Sequence, residues 1–392
     1  MAVCVPTGAM GVMKVTFEPL AELDALGVRW RALEERAFEP SFFQSWTWVG
    51  SWLAALPDTS GLRLLTIADG DSIVGLGVLG RKTLRRHRVL PVRGLFVGET
   101  GDPKLDTLTM EHNGLLLDAS VTSAVLAEAF AELKTAESWD ELKIAGVERR
   151  VAERYRAAFP LRGCRLLVRY EKPYYTVALD RLRAEQKDFL STLSSNTRSQ
   201  VRRSMREYEK RGALTVRHAA DEQQAWVVLA ALRELHQAYW QARGMPGAFA
   251  TPFANDFHRR LIATGLPRGE IQLAEIASGA ETIGYLYNFV YRGAVLNYQS
   301  ALRYDVDSKL KPGLVAHALL IEENLRRGAH IYDLLMGNQR YKKSLATDEG
   351  TMCELVVQRD RLKFRLEDLA RAARDAVPRR RASAAQPAES AD

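Results

Sequence analysis

Cysteine is scarce in this sequence, and long apolar runs are missing. The three cysteines among 392 residues, Cys4, Cys164 and Cys353, lie too far apart for a zinc knuckle or a disulfide framework. No apolar stretch approaches the ~20 residues that cross a bilayer, and the N-terminus lacks the basic and apolar regions of a signal peptide. We therefore expect a cytoplasmic protein with at most peripheral membrane contact.

Several catalytic and metal-binding signatures are also missing. The motifs HExxH, GxSxG and GxxxxGK[ST] do not occur, and the seven histidines do not cluster, so the sequence predicts no metal site. A Ser/His/Asp triad assembled by the fold stays open. The stretch GLGVLG at 75–80 matches GxGxxG, but the following RKTLRRHRVLP has no helical periodicity. We read these glycines as part of a strand, not as a dinucleotide fingerprint.

The composition is that of an ordinary globular protein with a basic surplus. Hydrophobic residues make up 47% and charged residues 26% of the chain, and the formal net charge is +7. The length predicts two or three domains, and the charge favours phosphates, acidic lipid headgroups or nucleic acid as partners. Nucleic acid is the least favoured, because no base-stacking aromatics are interleaved with the arginines and no known nucleic-acid motif occurs.

The two halves of the chain repeat one pattern. LLTIADGDSIVGLGVL in the first half and QLAEIASGAETIGYLYNFV in the second each give a strand, a tight turn and a strand, followed by a helix and a buried strand. This predicts a duplicated α/β unit, with a boundary near Pro173. We expect domains over residues 13–172 and 173–377, and no structure over 1–12 and 378–392.

The most basic stretch, SSNTRSQVRRSMREYEKRG at 194–212, predicts an amphipathic helix. Ser194, Ser195 or Asn196 can cap its start. Val201, Met205 and Tyr208 form an apolar face, and Arg198, Arg202 and Arg206 form a basic stripe beside it. Glu207 is expected to pair with Arg203 and Arg211.

Two interpretations of this helix stay open. It is either a solvated surface helix or an anion-binding element. The arginines crowd the N-terminal half, where cations oppose the helix dipole, and arginine outnumbers lysine, which suits forked recognition of phosphate or carboxylate. Both features favour the anion-binding interpretation.

Two further segments suggest a ligand site. In LHQAYWQARGMPGAFATPFANDFHRRL (235–261), His236, Tyr239 and Trp240 share a helical face ahead of a long Gly/Pro-rich loop, either as pocket residues or as core. In KLKPGLVAHALLIEENLRRG (309–328), Pro312 starts a helix and Gly313 leaves its backbone accessible. Lys309 and Lys311 add charge where free amides bind anions, which suits a pyrophosphate; the alternative is an ordinary Pro-initiated helix.

The order of these segments resembles a known superfamily. SNTRSQVRRS, LHQAYWQARGMPGAF, FHRRL, IGYLYNFVY, NYQSA, KPGL and YDLLMGNQRYKKSL, over about 195–345, resemble GNAT acyltransferases of the CelD-type double-domain branch and, more distantly, Fem-type aminoacyl transferases. The resemblance implies two tandem GNAT-like domains of the α/β (α+β) class. Each would have a mixed central sheet flanked by helices, the second would be catalytic, and the first would be scaffold and cleft wall.

The resemblance also implies the reaction and its residues. An acyl thioester, acyl-CoA or an acyl-carrier protein, would bind at Lys309, Lys311, Pro312 and Gly313, and its acyl group would pass to a small-molecule or lipid amine. His236 or Asp333 would act as the base, and Tyr298 or Tyr341 as the acid. Lys342 would stabilise charge. The substrate-binding residues would be Asn196, Arg198, Arg202, Arg203, Trp240 and Gln299.

One departure from the superfamily pattern keeps alternatives open. Its donor loop reads Gln/Arg-x-x-Gly-x-Gly/Ala, whereas this sequence has Leu310 and Val315 at the outer positions. The donor could therefore be an aminoacyl-tRNA, as for Fem-type transferases, or the chain could be a non-catalytic accessory protein of polysaccharide biosynthesis. The chain also resembles bacterial ceramide-synthase-type acyltransferases, which leaves a long-chain amino-lipid acceptor open.

Overall fold

The computed structural model describes residues 13–158 and 162–376. The termini expected to be unstructured, 1–12 and 378–392, lie outside the described residues. Contacts divide the described chain into two compact units. Unit 1 comprises 13–46, 57–158, 162–170 and 353–376, and unit 2 comprises 47–56 and 171–352.

Strands and helices alternate along the chain. The strands are β1 (Met13–Pro19), β2 (Leu62–Asp69), β3 (Ser72–Arg86), β4 (Leu90–Val97), β5 (Leu116–Leu117), β6 (Glu141–Glu148), β7 (Cys164–Val177), β8 (Leu214–His218), β9 (Ile271–Ser278), β10 (Glu281–Tyr291), β11 (Ala294–Leu302), β12 (Ile331–Met336) and β13 (Asp348–Arg359). The helices are α1 (Leu23–Glu34), α2 (Trp46–Ala55), α3 (Ser123–Ala136), α4 (Arg149–Ala158), α5 (Leu179–Ala184), α6 (Phe189–Thr192), α7 (Ser195–Glu209), α8 (Glu222–Gln241), α9 (Pro252–Gly265), α10 (Pro312–Arg326), α11 (Arg340–Leu345) and α12 (Leu362–Ala376).

Unit 1 is built on a mixed sheet in which β1, β2, β3 and β4 form an antiparallel meander. The chain then passes through α3 and returns as β6, which pairs in parallel with β4 over Gly94–Phe96 and Glu141–Lys143. Alternating apolar residues of these strands pack with one face of α3, including Leu126, Phe130 and Leu133, in a continuous core.

Unit 2 repeats this topology. Strands β8, β9, β10 and β11 form an antiparallel meander, and the chain passes through α10 into β12, which pairs in parallel with β11 over Ala294–Leu296 and Ile331–Asp333. Two helices lie between the first two strands of each meander, α1 and α2 before β2 and α8 and α9 before β9. The mixed α/β fold class and the internal duplication are therefore confirmed.

The units differ from the expected domain bounds in two segments. The division near Pro173 falls at Tyr170/Glu171, but 47–56 belongs to unit 2 and 353–376 to unit 1. Segment 47–56 belongs to unit 2 because Trp48 packs there: its ring lies 4.8 Å from that of Phe257 and 5.7 Å from that of Phe289. Such long-range packing leaves no mark in local periodicity.

The glycines of GLGVLG lie in the middle of β3, as predicted. A Cβ added at Gly80 would collide with the carbonyl oxygen of Glu99, and one added at Gly77 would collide with the side chain of Leu115. These glycines therefore allow close backbone approach within unit 1, and no helix follows them as a dinucleotide site would require.

Candidate functional site

The start of α10 lies beside the end of β11, where a Cβ at Gly313 would be 3.2 Å from the side chain of Leu302. The ladder between β11 and β12 covers three residue pairs and ends at Leu296 and Asp333, although β11 continues to Leu302. Pro312 is the first residue of α10, and Lys311 before it makes no side-chain capping hydrogen bond. By contrast, Thr122 caps α3, the corresponding helix of unit 1, by accepting a hydrogen bond from the amide of Val125. The first-turn amides of α10 thus lack the side-chain acceptor that α3 has.

The arginine-rich helix α7 packs directly against this helix start. Ser204 is fully buried, and its hydroxyl accepts a 2.8 Å hydrogen bond from the amide of Lys311. Ser194 caps α7, and Val201 and Tyr208 are buried as predicted. The ion pairs expected for Glu207 are wrong: Glu207 pairs with Lys210 at 2.7 Å, because the turn after α7 directs Arg211 away.

Arg211 pairs instead with Glu281 at 3.2 Å and Asp305 at 3.1 Å. It therefore links the end of α7 to the β9–β10 turn and to the loop that leads into α10. This contact between distant segments could not be read from helical spacing.

The other basic side chains of α7 are largely accessible. The guanidinium of Arg198 donates to the carbonyl of Ser191 at 3.2 Å, while Arg202, Arg203 and Arg206 are exposed. These three arginines form no ion pair within residues 13–158 and 162–376. Asn196 is also exposed, in the first turn of the helix. Lys309 is exposed, and its charge adds to the hydrogen bond from Lys210 that lowers the pKa of the Glu207 carboxyl.

His236 and Trp240 lie on α8 against the opposite face of the unit 2 sheet. His236 is buried, and its ring lies 5.3 Å from that of Phe249 and 6.0 Å from that of Trp240. Burial lowers the pKa of His236, while hydrogen bonds to Gln237 and Gln299 oppose that shift. His236 is therefore a neutral imidazole at pH 7, and its Nδ1 lies 3.4 Å from the Oε1 of Gln237.

A bulge in β11 sets the position of Tyr298. Tyr287 pairs with Gln299 and Asn288 with Asn297, so Tyr298 is the extra residue in the ladder. Its buried ring lies 4.7 Å from the ring of Phe289. Asn297 donates at 2.8 Å to Asn288, which donates at 2.8 Å to Gln272, so a buried amide network fixes the strands on either side of the bulge.

The aromatic cluster around Tyr298 contains polar atoms without partners. His258 is buried between the rings of Phe249, at 5.1 Å, and Tyr298, at 5.5 Å, and neither of its ring nitrogens has a hydrogen-bond partner. Burial alone lowers the pKa of His258 to about 3. The hydroxyl of Tyr287 is likewise buried without a partner. Such groups carry a free-energy cost and are uncommon away from functional sites.

Asp333 and Lys342 both bond to the backbone at the end of β12. The carboxylate of Asp333 accepts a 2.7 Å hydrogen bond from the amide of Leu335, a residue that lies in the left-handed region at φ 61°. The buried ammonium of Lys342 donates at 2.8 Å to the carbonyl of Met336 and at 3.4 Å to that of Leu335. Both side chains thus hold an irregular backbone segment in place.

Tyr341 stacks on a histidine of α10. The rings of Tyr341 and His317 are 5.2 Å apart and nearly parallel, at 19°. His317 is fully buried with no hydrogen-bond partner on either nitrogen, and burial followed by the nearby Lys342 lowers its pKa to about 3. Burial raises the pKa of Tyr341, so its hydroxyl stays protonated at neutral pH.

The predicted site residues thus fall into three groups, all within unit 2. These are His236, Trp240, Tyr298 and Gln299 beside β11; Asp333, Tyr341 and Lys342 beside β12; and Asn196, Arg198, Arg202, Arg203, Lys309, Lys311, Pro312 and Gly313 where α7 meets α10. The sequence analysis missed Ser204, His258 and His317. His317 follows Gly313 by one helical turn, a spacing that could have revealed it.

Comparison with known proteins assigns a domain to this region. Residues 195–343 match the model of the acetyltransferase (GNAT) domain. The chain carries a GNAT acetyltransferase domain. No curated protein matches the chain, and within the described residues no group of three His, Cys, Asp or Glu side chains could hold a metal ion. None of the described helices is long and apolar enough to cross a membrane.

Solved structures share the fold at low sequence identity. The FemX crystal structure aligns with a TM-score of 0.57 and 13% identity, covering 88% of this chain and 98% of that one. The C-terminal domain of a putative lysylphosphatidylglycerol synthetase from Agrobacterium fabrum aligns with a TM-score of 0.53 and 10% identity, covering 90% of this chain and 96% of that one. The structure of L-PGS from Bacillus licheniformis aligns with a TM-score of 0.51 and 12% identity, covering 88% of this chain and 96% of that one. The domain match and the fold together support an acyltransferase.

Proposed function

We propose that the protein is an N-acyltransferase that moves an acyl group from an acyl thioester, most simply acyl-CoA, to an amine. The observation that carries this proposal is the start of α10. Within the span that matches the GNAT model, a helix start without a side-chain cap lies beside Leu302 at the end of β11, beyond the part of β11 that pairs with β12, and packs against the arginine-rich helix α7.

The donor would be held by its anionic end. Amides of the first turn of α10, Lys309, Lys311 and the exposed arginines of α7 together favour a pyrophosphate, because helix-start amides and guanidinium groups both donate to phosphate oxygens. Gly313 leaves the approach open: a Cβ at this position would meet only the end of the Leu302 side chain, at 3.2 Å. The acyl arm would then run along β11 towards Tyr298 and Gln299.

The reaction needs a base, because only a neutral amine attacks a thioester. His236 suits this role, because its lowered pKa keeps the imidazole unprotonated and able to accept a proton. Asp333 suits it less well, since its carboxylate already accepts the amide of Leu335. We therefore assign the base to His236 and a positioning role to Asp333.

The leaving thiolate needs a proton, and the oxyanion needs a donor. Tyr298 and Tyr341 are both candidates for the acid, and Tyr341 is protonated at neutral pH because burial raises its pKa. An amide of β11 beyond the point where it leaves β12 would stabilise the oxyanion. Lys342 would keep the end of β12 in place through the carbonyls of Leu335 and Met336 rather than contact the substrate.

The acceptor would be an amine of a sugar, an amino acid or a lipid base. A sugar acceptor follows from the CelD-type resemblance, and a long-chain amino lipid from the ceramide-synthase-like one. The aromatic groups around His236, Trp240 and Phe249 suit an acceptor with an apolar part.

A Fem-type aminoacyl-tRNA-dependent transferase is the second candidate. The fold similarity to FemX supports it, as do the net charge of +7 and the exposed arginines of α7. Ribonuclease treatment of a donor pool separates the two candidates: it would abolish transfer from aminoacyl-tRNA and leave transfer from acyl-CoA unchanged.

A thermal-shift titration with CoA, acetyl-CoA and a long-chain acyl-CoA tests the donor assignment. A ligand that binds only the folded protein stabilises it by RT ln(1 + [L]/Kd), about 2.7 kcal/mol at a hundredfold excess over Kd. We expect a rise in melting temperature that Gly313→Glu abolishes.

Gly313→Ala is the matched control, because it fits the helix and adds no charge. A shift that survives in Gly313→Glu would move the donor site elsewhere. No shift with any of the three ligands would favour a carrier-protein or tRNA donor, or the non-catalytic accessory protein.

A further inference from the structure

Three side chains of unit 2 contact one another, and two of them carry polar atoms without hydrogen-bond partners. His258 comes from α9, Tyr287 from β10 and Tyr298 from the bulge in β11. The ring of His258 lies 5.6 Å from that of Tyr287 and 5.5 Å from that of Tyr298, and the two tyrosine rings are 6.0 Å apart. Both ring nitrogens of His258 and the hydroxyl of Tyr287 are buried without a partner. We call these three residues the His258 cluster.

The polar atoms of the cluster destabilise the fold as it stands. His258 is 1% exposed and Tyr287 is 0% exposed, so both have lost their hydrogen bonds to water without gaining others. A phenylalanine at either position would pack with a similar shape and avoid that loss. Because buried polar groups are nearly always paired, unpaired atoms on two neighbouring side chains indicate a ligand group that completes their hydrogen bonds.

The electrostatic surroundings of His258 and Tyr287 exclude a charged ligand group. Burial alone lowers the pKa of His258 to about 3. Burial, with a smaller contribution from Tyr298, raises the pKa of Tyr287 well above its usual value. Within the described part of the chain, neither pKa shift has a charged side chain among its causes. A carboxylate, phosphate or ammonium group between these two residues would therefore be buried without a counter-ion.

An uncharged hydroxyl is a group that these atoms can satisfy. A neutral imidazole offers one donor and one acceptor, and a tyrosine hydroxyl offers both as well. A ligand hydroxyl can therefore donate to one of the two residues and accept from the other. The rings of Phe249 and Phe257 lie 5.1 Å and 5.0 Å from that of His258, so they supply apolar contacts for the carbon that carries the hydroxyl.

Phe249 covers the His258 cluster from the Gly/Pro-rich loop after α8. Its ring lies 5.3 Å from that of His236 and 5.1 Å from that of His258. Two side chains hold its backbone: its amide donates to Gln237 at 3.3 Å, and its carbonyl accepts a hydrogen bond from Asn255 at 3.1 Å. Movement of the loop breaks these two hydrogen bonds and leaves the strands in place. Phe249 can therefore uncover the cluster without a change in β10 or β11.

We propose that His258 and Tyr287 bind a hydroxyl group of the acceptor, with Phe249 as the cover of this pocket. The inference rests on the proposed function, in which the acyl arm runs along β11 towards Tyr298, the third residue of the cluster. The hydroxyl would therefore lie close to the amine that is acylated, as in a compound that carries the two groups on adjacent carbons. This favours amino alcohols, including amino sugars, over α-amino acids, which carry a carboxylate at that position.

Isothermal titration calorimetry of the full-length chain with three matched amines tests the pocket without any acyl donor. Leucinol carries the adjacent hydroxyl, leucine carries a carboxylate in its place, and 1,3-dimethylbutylamine carries only a methyl group there. We expect leucinol to bind about tenfold more tightly than 1,3-dimethylbutylamine and about a hundredfold more tightly than leucine. Equal affinities for leucinol and 1,3-dimethylbutylamine, tighter binding of leucine, or no binding of leucinol would overturn the proposal.

Tyr287→Phe separates a ligand-binding role from a structural one. Because the hydroxyl has no partner in the folded protein, its removal should leave the melting temperature unchanged or raise it. The affinity for leucinol should fall about tenfold, and that for 1,3-dimethylbutylamine should not change. His258→Phe should act in the same way. The control is Tyr291→Phe on the same strand, where the ring lies 5.6 Å from the guanidinium of Arg292, and it should bind leucinol as the wild type does.

The result for the pocket can be told apart from the result for the donor site. A rise in melting temperature with acyl-CoA, together with unchanged leucinol affinity in Tyr287→Phe and His258→Phe, would refute the pocket and retain the donor site. Leucinol binding that both variants weaken, without a response to any CoA ligand, would retain the pocket and refute the donor assignment. Phe249→Ala should accelerate leucinol association in stopped-flow measurements, and an unchanged rate would refute its role as the cover.

Discussion

Two buried histidines should make the stability of unit 2 depend steeply on pH. His258 and His317 are 1% and 0% exposed, and their ring nitrogens have no hydrogen-bond partners. Rings of Phe249, Tyr287 and Tyr298 surround His258, whereas His317 faces Tyr341 and the ammonium of Lys342. Burial opposes protonation of both imidazoles, and the charge of Lys342 adds to this at His317, so each histidine is neutral in the folded protein.

The size of the effect follows from the two pKa values of about 3, against an unperturbed 6.5. Above pH 6.5 both histidines are neutral in the folded and in the unfolded chain, so they do not lower the free energy of unfolding. Below it the unfolded chain takes up protons that the folded chain cannot, so the free energy of unfolding falls by about 1.4 kcal/mol per pH unit for each histidine. Two histidines over two pH units cost about 5 kcal/mol, a large share of the 5–15 kcal/mol that stabilises a typical domain.

Urea denaturation at pH 7.5 and at about pH 4.5 measures this effect. We expect the wild type to lose about 5 kcal/mol between the two conditions, and the double variant His258→Phe, His317→Phe to lose much less. His330→Asn, at an exposed site in the same unit, is the control and should behave as the wild type does. An equally steep loss in the double variant would show that the acid sensitivity arises from groups other than His258 and His317.

Substitutions at three further places test the roles assigned to residues of the site. Asp333→Asn keeps an oxygen acceptor for the amide of Leu335, so stability and activity should change little. Asp333→Ala should lower the free energy of unfolding by about 1–3 kcal/mol in urea denaturation. Loss of activity in a stable Asp333→Asn variant would instead identify Asp333 as the base. Ser204→Ala removes the acceptor of the Lys311 amide. It should lower the free energy of unfolding by about 1 kcal/mol and raise the KM for the donor. An unchanged KM would contradict the role of Ser204 in holding the start of α10. Arg202→Ala with Arg203→Ala should raise the KM for the anionic substrate without a change in melting temperature, and unaffected kinetics would leave α7 as a solvated face.

Protonation of His236 predicts the pH dependence of catalysis. Because burial lowers its pKa, the activity should rise as pH increases through a value below 6.5 and then level off. His236→Gln should remove this rise and reduce kcat by about a hundredfold or more. A pH profile that the substitution leaves intact would exclude His236 as the base.

Much of the local structure could be predicted from the sequence, because helices and strands leave periodic patterns. The spacing of Val201 and Tyr208 predicted the buried face of α7, the ADGDS and SGAE turns predicted the paired strands, and Pro312 predicted the start of α10. The duplication was visible for the same reason, since two halves with the same order of elements carry the same order of patterns.

Local sequence patterns thus predicted which elements form and that they form twice, and they favour the start of α10 as an anion site. Only the tertiary structure decided which side chains meet. It placed Ser204 on the amide of Lys311 and enclosed His258 and His317 without partners. These contacts join residues far apart in the chain, and their energies depend on burial and on neighbours that local periodicity does not encode.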